Sequence, residues 1–144
     1  MFLWTALEYG LHRCVFHLDG ENTAARRMLT LSHFDHHDDP RDAGKVLVRT
    51  EPALILSLVL FLLLYAVSLN LSWTAGLMAG VWSGFLYYEI VHYRVHCTPA
   101  TSGLIGRQRR AHFHHHFAHN GQCFGVTTPL WDYVFRTGRT NVGR

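Results

Sequence analysis

Charge is what this sequence has least of. Only 16% of its 144 residues are Asp, Glu, Lys or Arg, against 49% hydrophobic, and from Pro52 to Tyr88 there is no charged residue at all. So long an uncharged stretch excludes a solvated helix face there and implies either lipid contact or an unusually dense core. Cysteine is scarce as well. Cys14, Cys97 and Cys123 are odd in number and lack CxxC spacing, which excludes a disulfide framework and a zinc finger and leaves three small packing residues. No basic patch interleaved with aromatic residues is present, so the net charge of +3 reads as topology and contact with anionic lipid, and nucleic acid is excluded as a partner. The first residues, MFLWTALEYGL, lack the basic start and small-residue cleavage site of a signal peptide.

What is there begins with two apolar runs, Pro52 to Leu71 and Trp73 to Val91. At about 1.5 Å per helical residue, each can cross a hydrocarbon layer of roughly 30 Å. All Lys and Arg lie before residue 50 or after residue 93, the distribution of a membrane hairpin with both ends on the cytoplasmic side. Asn70 to Ser72 is the expected turn, and Gly76, Gly80, Ser83 and Gly84 are expected to allow close helix contact. The second span should run on through His92 to His96 and stop at Thr98-Pro99. Before the hairpin, Met1 to Leu11 is too short to span and reads as the end of a membrane helix or as a helix lying against the hairpin. A helix is expected over Ala24 to His37, capped at Asn22 or Thr23 and ended by Asp38-Asp39-Pro40. After it come a helix around Gly106 to Phe117 and a folded-back tail without helical period, anchored by Trp131, Tyr133 and Phe135.

The remaining excess is histidine. Twelve are present, and ten recur at ligand-like spacing: His12 and His17, then His33, His36 and His37, then His92 and His96, then His112, His115 and His116. Residues three and four apart share a helix face, so each triplet is expected to point its rings one way. His12 and His17, about 140° apart on an α-helix, can serve one site only at a helix end or distortion. All four groups sit at the cytoplasmic ends of apolar segments. Ten imidazoles could give two metal ions five nitrogens each, with one octahedral position apiece open, the mark of a reactive site. Imidazole suits Fe, Cu, Ni and Zn alike. Glu8, Asp35, Glu89 and Asp132 are candidates for orienting the outer ring nitrogens. His114 and His119 stand outside the repeated spacing. A membrane metal-binding or transport protein is the non-enzymatic alternative, disfavoured because Pro52 to Tyr88 offers no metal-binding polar group inside the spans.

The motif order H-x4-H, H-x2-H-H, H-x3-H, H-x2-H-H resembles the fatty acid hydroxylase and sterol desaturase superfamily. Glu8-Tyr9…His12-Arg13…Phe16-His17, His92-Tyr93…His96 and Phe124-Gly125-Val126-Thr127…Leu130-Trp131-Asp132-Tyr133-Val134-Phe135 look most like fatty acid 2-hydroxylases. The resemblance implies an all-α membrane protein: a helical hairpin spanning the bilayer plus a cytoplasmic helical cap that carries a histidine-rich dimetal site. It implies one domain over 1–144, with 1–17 a partial membrane helix, 52–71 and 73–92 the spans, and 18–50 and 93–144 the cap. It also implies that the ten histidines named above are the ligands of two iron ions, with zinc able to take their place. O₂ is then the cosubstrate for hydroxylation of a lipid C–H bond, at the 2-position of a fatty acyl chain. Electrons come from a separate donor such as cytochrome b5 or ferredoxin. A sterol- or carotenoid-type hydroxylase or desaturase is the alternative on the same centre. Relatives of this kind commonly carry a further membrane helix upstream of the first motif, so the chain reads as N-terminally truncated.

Overall fold

The computed structural model describes residues 2–17 and 33–139, and among them every regular element is helical. The order is α1 (Phe2–Leu11), a π-helical turn (His12–Phe16), α2 (33–38), α3 (Ala43–Val46), α4 (Thr50–Ser68), α5 (Leu71–Cys97), α6 (Gly103–Phe117) and α7 (Leu130–Val134). The expected helix over Ala24 to His37 is described only from residue 33, and its proposed cap at Asn22 or Thr23 lies outside the described residues.

α4 and α5 form an antiparallel hairpin with a two-residue connection. Leu69 turns the chain in the left-handed conformation (φ 49°) and its N–H returns to the Tyr65 carbonyl, while the Asn70 side chain caps α5 by accepting from Trp73 N at 3.1 Å. The break therefore falls at Leu69-Asn70, just before the expected Asn70 to Ser72. α5 runs unbroken through His92 and His96 to Cys97, and its end is bound from α6: Arg109 donates to the carbonyls of Val95, His96 and Thr98 and lies over the Phe113 ring. Among the described residues one stretch, Ala43–Ser68, is long and apolar enough to cross a membrane, and only 6% of its apolar 18-residue segment is buried. A core helix would be mostly covered; this one leaves Leu54, Leu58, Leu62 and Val67 exposed. α5 is longer, but its Gly, Ser, Thr and terminal His and Arg residues make it less apolar.

α1 lies against α5 and runs parallel to it, since Trp4 meets Phe85 and Tyr88 (5.6 and 6.0 Å between ring centres) while the His12 and His92 ends lie together. Close approach requires Gly84, where a Cβ would overlap the Trp4 side chain. Gly76 and Gly80 have open space beside them, and the exposed Ser83 hydroxyl bonds only its own helix at Ala79, so of the expected small-residue contacts Gly84 alone packs a helix. α6 begins three residues earlier than expected. The tail is tied to α1: Trp131 Nε1 donates to Thr5 Oγ1 at 3.0 Å and Phe135 stacks on Tyr9 at 5.3 Å, with Tyr133 84% exposed. It also holds a short helix, α7, where none was expected. Val91, Val95 and Val126, with Tyr88 and Phe113 against them, make the buried apolar cluster directly beneath the histidines.

Gly84→Ala is expected to destabilise the protein by about 1–3 kcal/mol through overpacking. Gly80→Ala, into open space, should be neutral or stabilising by up to ~1 kcal/mol. Thermal unfolding in detergent compares them, and equal effects would show that α1 does not seat on Gly84.

Candidate metal centre

The ten histidines fall into two groups of five. One is His12, His17, His33, His37 and His115; the other is His36, His92, His96, His112 and His116; within each, one ligating atom per ring lies within 4.8 Å of all the others. The inward atoms in contact are Nε2. In the first group His17 Nε2 is 2.8 Å from His33 and 3.0 Å from His115. In the second, His112 Nε2 is 3.0 Å from His92, 2.9 Å from His96 and 3.0 Å from His116, and His36 is 3.1 Å from His116. A ring nitrogen carries either one proton or one lone pair, so His112 cannot hydrogen-bond to three others at once. Two nitrogens bound at right angles to one metal, at about 2.0–2.1 Å each, would stand about 2.9 Å apart. The residues fit a metal in each group, and their mutual contacts make no sense as hydrogen bonds.

Ring positions give the shape. His17 lies 5.1, 4.8, 4.8 and 4.6 Å from His12, His33, His37 and His115. His96 lies 4.5, 4.9, 4.9 and 5.0 Å from His36, His92, His112 and His116. By contrast His36 and His112 are 6.3 Å apart and nearly parallel, as donors on opposite sides of one centre would be. Each group thus sets four rings around His17 or His96, and among the described residues no further His, Cys, Asp or Glu joins either group. His37 and His116, stacked at 4.1 Å, bridge the two groups.

Local structure explains the partition. At 100° per residue, i and i+4 differ by about 40° and i+3 by about 60° in the other sense. In α2 the pair His33 and His37 joins one group and His36 the other; in α6 the pair His112 and His116 joins one group and His115 the other. The expectation that each triplet points one way is therefore corrected: each straddles both centres. His92 and His96 are an i, i+4 pair on α5. His12 and His17 meet because the chain takes a π turn between them, closed by His17 N to His12 O at 3.2 Å. That is the distortion their five-residue spacing requires. His114 bonds Gln122 Oε1 at 2.9 Å and joins neither group.

The four carboxylates do not orient rings directly. Glu8 accepts from Val126 N and Thr127 N, Asp132 from Phe124 N and Gly125 N, and Glu89 from Val48 N at 3.2 Å, while Asp35 is exposed. Ring orientation comes instead from backbone carbonyls, Phe124 O to His12 Nδ1 at 2.6 Å and Gln122 O to His115 Nδ1 at 2.8 Å. Carbonyl acceptors leave no side-chain pattern, which is why sequence reasoning missed them. Burial, followed by the neighbouring imidazoles, lowers His36 to about 3, His37 to about 2 and His115 to about 4. The rings are neutral at pH 7, the state a metal needs.

Comparison with known proteins bears on this geometry. Residues 1–137 match the family model described as fatty acid hydroxylase. The chain is similar to the fatty acid 2-hydroxylase of Macaca fascicularis, 32% identical over 95% of this chain and 37% of the relative. It is similar to the dihydroceramide fatty acyl 2-hydroxylase FAH2 of Arabidopsis thaliana, 31% identical over 93% of this chain and 56% of the relative. The ceramide very long chain fatty acid hydroxylase SCS7 of Saccharomyces cerevisiae is 32% identical over 95% of this chain and 36% of its own. A solved structure described as full-length scs7p, with only the hydroxylase domain visible, superposes with a TM-score of 0.87 at 29% identity, covering 99% of this chain and 54% of that one. The chain spans about a third to just over half the length of these relatives.

Because these rings hold protons more weakly when folded than their ordinary value of 6.5, the unfolded chain binds more protons below that pH. The metal-free protein should therefore be fully stable above pH 6.5 and lose stability from there toward pH 4, by up to ~1.4 kcal/mol per pH unit for each proton taken up. Thermal unfolding across this range tests it; a flat profile would mean the rings are not buried neutral.

Proposed function

The chain belongs to the fatty acid hydroxylase family, and from that premise we propose that it is the catalytic domain of a membrane lipid hydroxylase acting at the 2-position of a fatty acyl chain. The single observation that carries the reading is the position of the two five-histidine groups at the end of an apolar cavity. This cavity, of about 230 Å³, lies between α1, α4 and α5 and is walled by Trp4, Leu11, Leu56, Leu60 and Val81, with Glu8 and His12 also in its lining. A smaller pocket of about 20 Å³ adjoins it, bounded by His33, His36 and His92; Phe16, Val48, Leu56 and Tyr88 line both.

His12, His17, His33, His37 and His115 would hold one iron ion, and His36, His92, His96, His112 and His116 would hold the other. Two iron ions there would supply the O₂ chemistry by which a C–H bond becomes C–OH, the second oxygen atom leaving as water with two electrons and two protons supplied by the donor and solvent. The protein's own part is placement. Apolar walls take the acyl chain and exclude water, and Phe16 and Tyr88 form the passage that brings its end to the imidazoles. The substrate is thus a fatty acyl lipid entering from the membrane. The electrons come from a separate donor such as cytochrome b5 or ferredoxin. α4 and α5 cross the bilayer as a hairpin, with the exposed apolar face of α4 against lipid. The ends of the hairpin, α2, α3 and the region from residue 93 form a cytoplasmic cap over the centre, so the protein is multi-pass with its histidines on the cytoplasmic face, in one domain.

Cells expressing this chain should accumulate 2-hydroxy acyl lipids that are absent with His115→Ala. Equal amounts in both, by mass spectrometry, would remove the hydroxylase reading. Leu60→Trp, which fills the cavity away from the histidines, should lower that product by at least about tenfold, a barrier increase of ~1.4 kcal/mol, with metal content unchanged. Undiminished product would show that the chain does not use this cavity.

A further inference from the structure

Four successive backbone amides, those of Phe124, Gly125, Val126 and Thr127, are all taken by carboxylates. Asp132 accepts the first two at 2.9 and 2.8 Å, and Glu8 the last two at 2.7 and 2.8 Å. The Thr127 hydroxyl gives Glu8 a third donor and the Thr137 hydroxyl gives Asp132 its third at 2.8 Å. The loop fits closely enough that a Cβ on Gly125 would overlap the Thr128 carbonyl and come within 2.9 Å of Asp132 Oδ2. With its amides held on one side, the loop presents carbonyls on the other: Phe124 O to His12 and Gln122 O to His115. A ring that gives its Nδ1 proton to a carbonyl has its lone pair at Nε2, aimed at the metal.

Both rings belong to the group around His17. The second group is attended from another quarter. The Pro40 carbonyl faces His96 and the Val46 carbonyl faces His92, both on the segment before α4, without closing a full bond at His92 Nδ1. The two centres thus have separate supports. Glu8 is 5% exposed and one helical turn before His12, so it links α1 to the loop that orients the ring α1 carries.

We propose that Glu8 is a positioning residue for one centre only: through the 122–127 loop it sets the tautomer and direction of His12 and His115, and the five-histidine group around His96 does not depend on it. The inference rests on the dimetal reading above. Support from outer-sphere partners typically accounts for 10–100-fold in metal affinity, so the two sites should come apart when Glu8 is changed.

The test is a Zn²⁺ titration of the detergent-solubilised protein in buffers of graded free zinc, reading metal per chain by mass spectrometry. Wild type should bind two. In Glu8→Gln one site should weaken about 10–100-fold while the other keeps its midpoint, and combining Glu8→Gln with His12→Ala should add little to His12→Ala alone. Thr127→Val, which removes only the hydroxyl donor to Glu8, should weaken the same single site and decides the matter alone if Glu8→Gln does not fold. Both sites shifting together, or neither, would overturn the positioning role while leaving two bound metals. A wild type that binds fewer than two would instead overturn the dimetal reading itself.

Discussion

The structure depends on ten imidazoles packed as two groups of five, with the ligating nitrogens of each group within 4.8 Å of one another. Nothing in the protein satisfies that arrangement. His12 and His37 leave Nε2 without a partner, and His36, His112 and His116 leave Nδ1 so, all in buried positions. A buried polar atom without a partner costs about 1–3 kcal/mol. Crowded donors and acceptors of this kind are retained only where something else compensates, and two cations bound by five nitrogens each would do so. The helices around them act as a frame that keeps the rings together. Arg109 binds the end of α5 to α6, the Glu8 and Asp132 carboxylates bind the tail loop to α1 and α7, and Glu89 holds Val48 at the approach to α4.

Within that frame the two centres are built by one rule applied twice. Each takes a pair from the end of an apolar helix, an i, i+4 pair from one triplet and the lone i+3 residue from the other triplet. His33 and His37 face His115 across the first centre; His112 and His116 face His36 across the second. The exchange means that neither α2 nor α6 can move without disturbing both groups, which couples these two helices to α5 mechanically. Only the first pair breaks the pattern, being five apart, and the backbone accommodates it with a π turn.

Much of this was legible in the residues. Spacing alone separated ten ligand candidates from His114 and His119, required a distortion between His12 and His17, and carried α5 past the apolar run to Thr98. What spacing could not do was divide the triplets. Three- and four-residue offsets both read as one face when the only question is whether rings can be neighbours; the 100° or so between an i+3 and an i+4 side chain matters only once two targets stand side by side. The outer shell was illegible for a different reason. A carboxylate near a histidine in a motif suggests a direct bond, but here Glu8 and Asp132 bond amides, and carbonyls do the orienting. Backbone groups are the same at every position, so no residue type marks them. Likewise Gly76, Gly80 and Gly84 look equivalent at i, i+4 spacing, and only the Trp4 of another helix distinguishes the third.

The apolar half and the histidine half of the protein meet at a seam, and α5 crosses it without interruption. Its first part is low in charge and faces the hairpin partner and α1; its last two turns carry His92 and His96. A helix is stiff over this length because each turn is bonded to the next, so the angle at which α4 and α1 pack on its apolar part also sets where its two imidazoles point. Tyr88 lies at the crossing, stacked on His92 at 5.3 Å and bordering both the apolar cavity and the small pocket among the histidines. The helix that borders the apolar cavity is therefore also the one that carries two of the ten imidazoles. Any change that tilts α5 to widen the cavity must also turn His92 and His96, and this explains why close packing at Gly84, two turns from the nearest histidine, belongs to the site as much as to the fold.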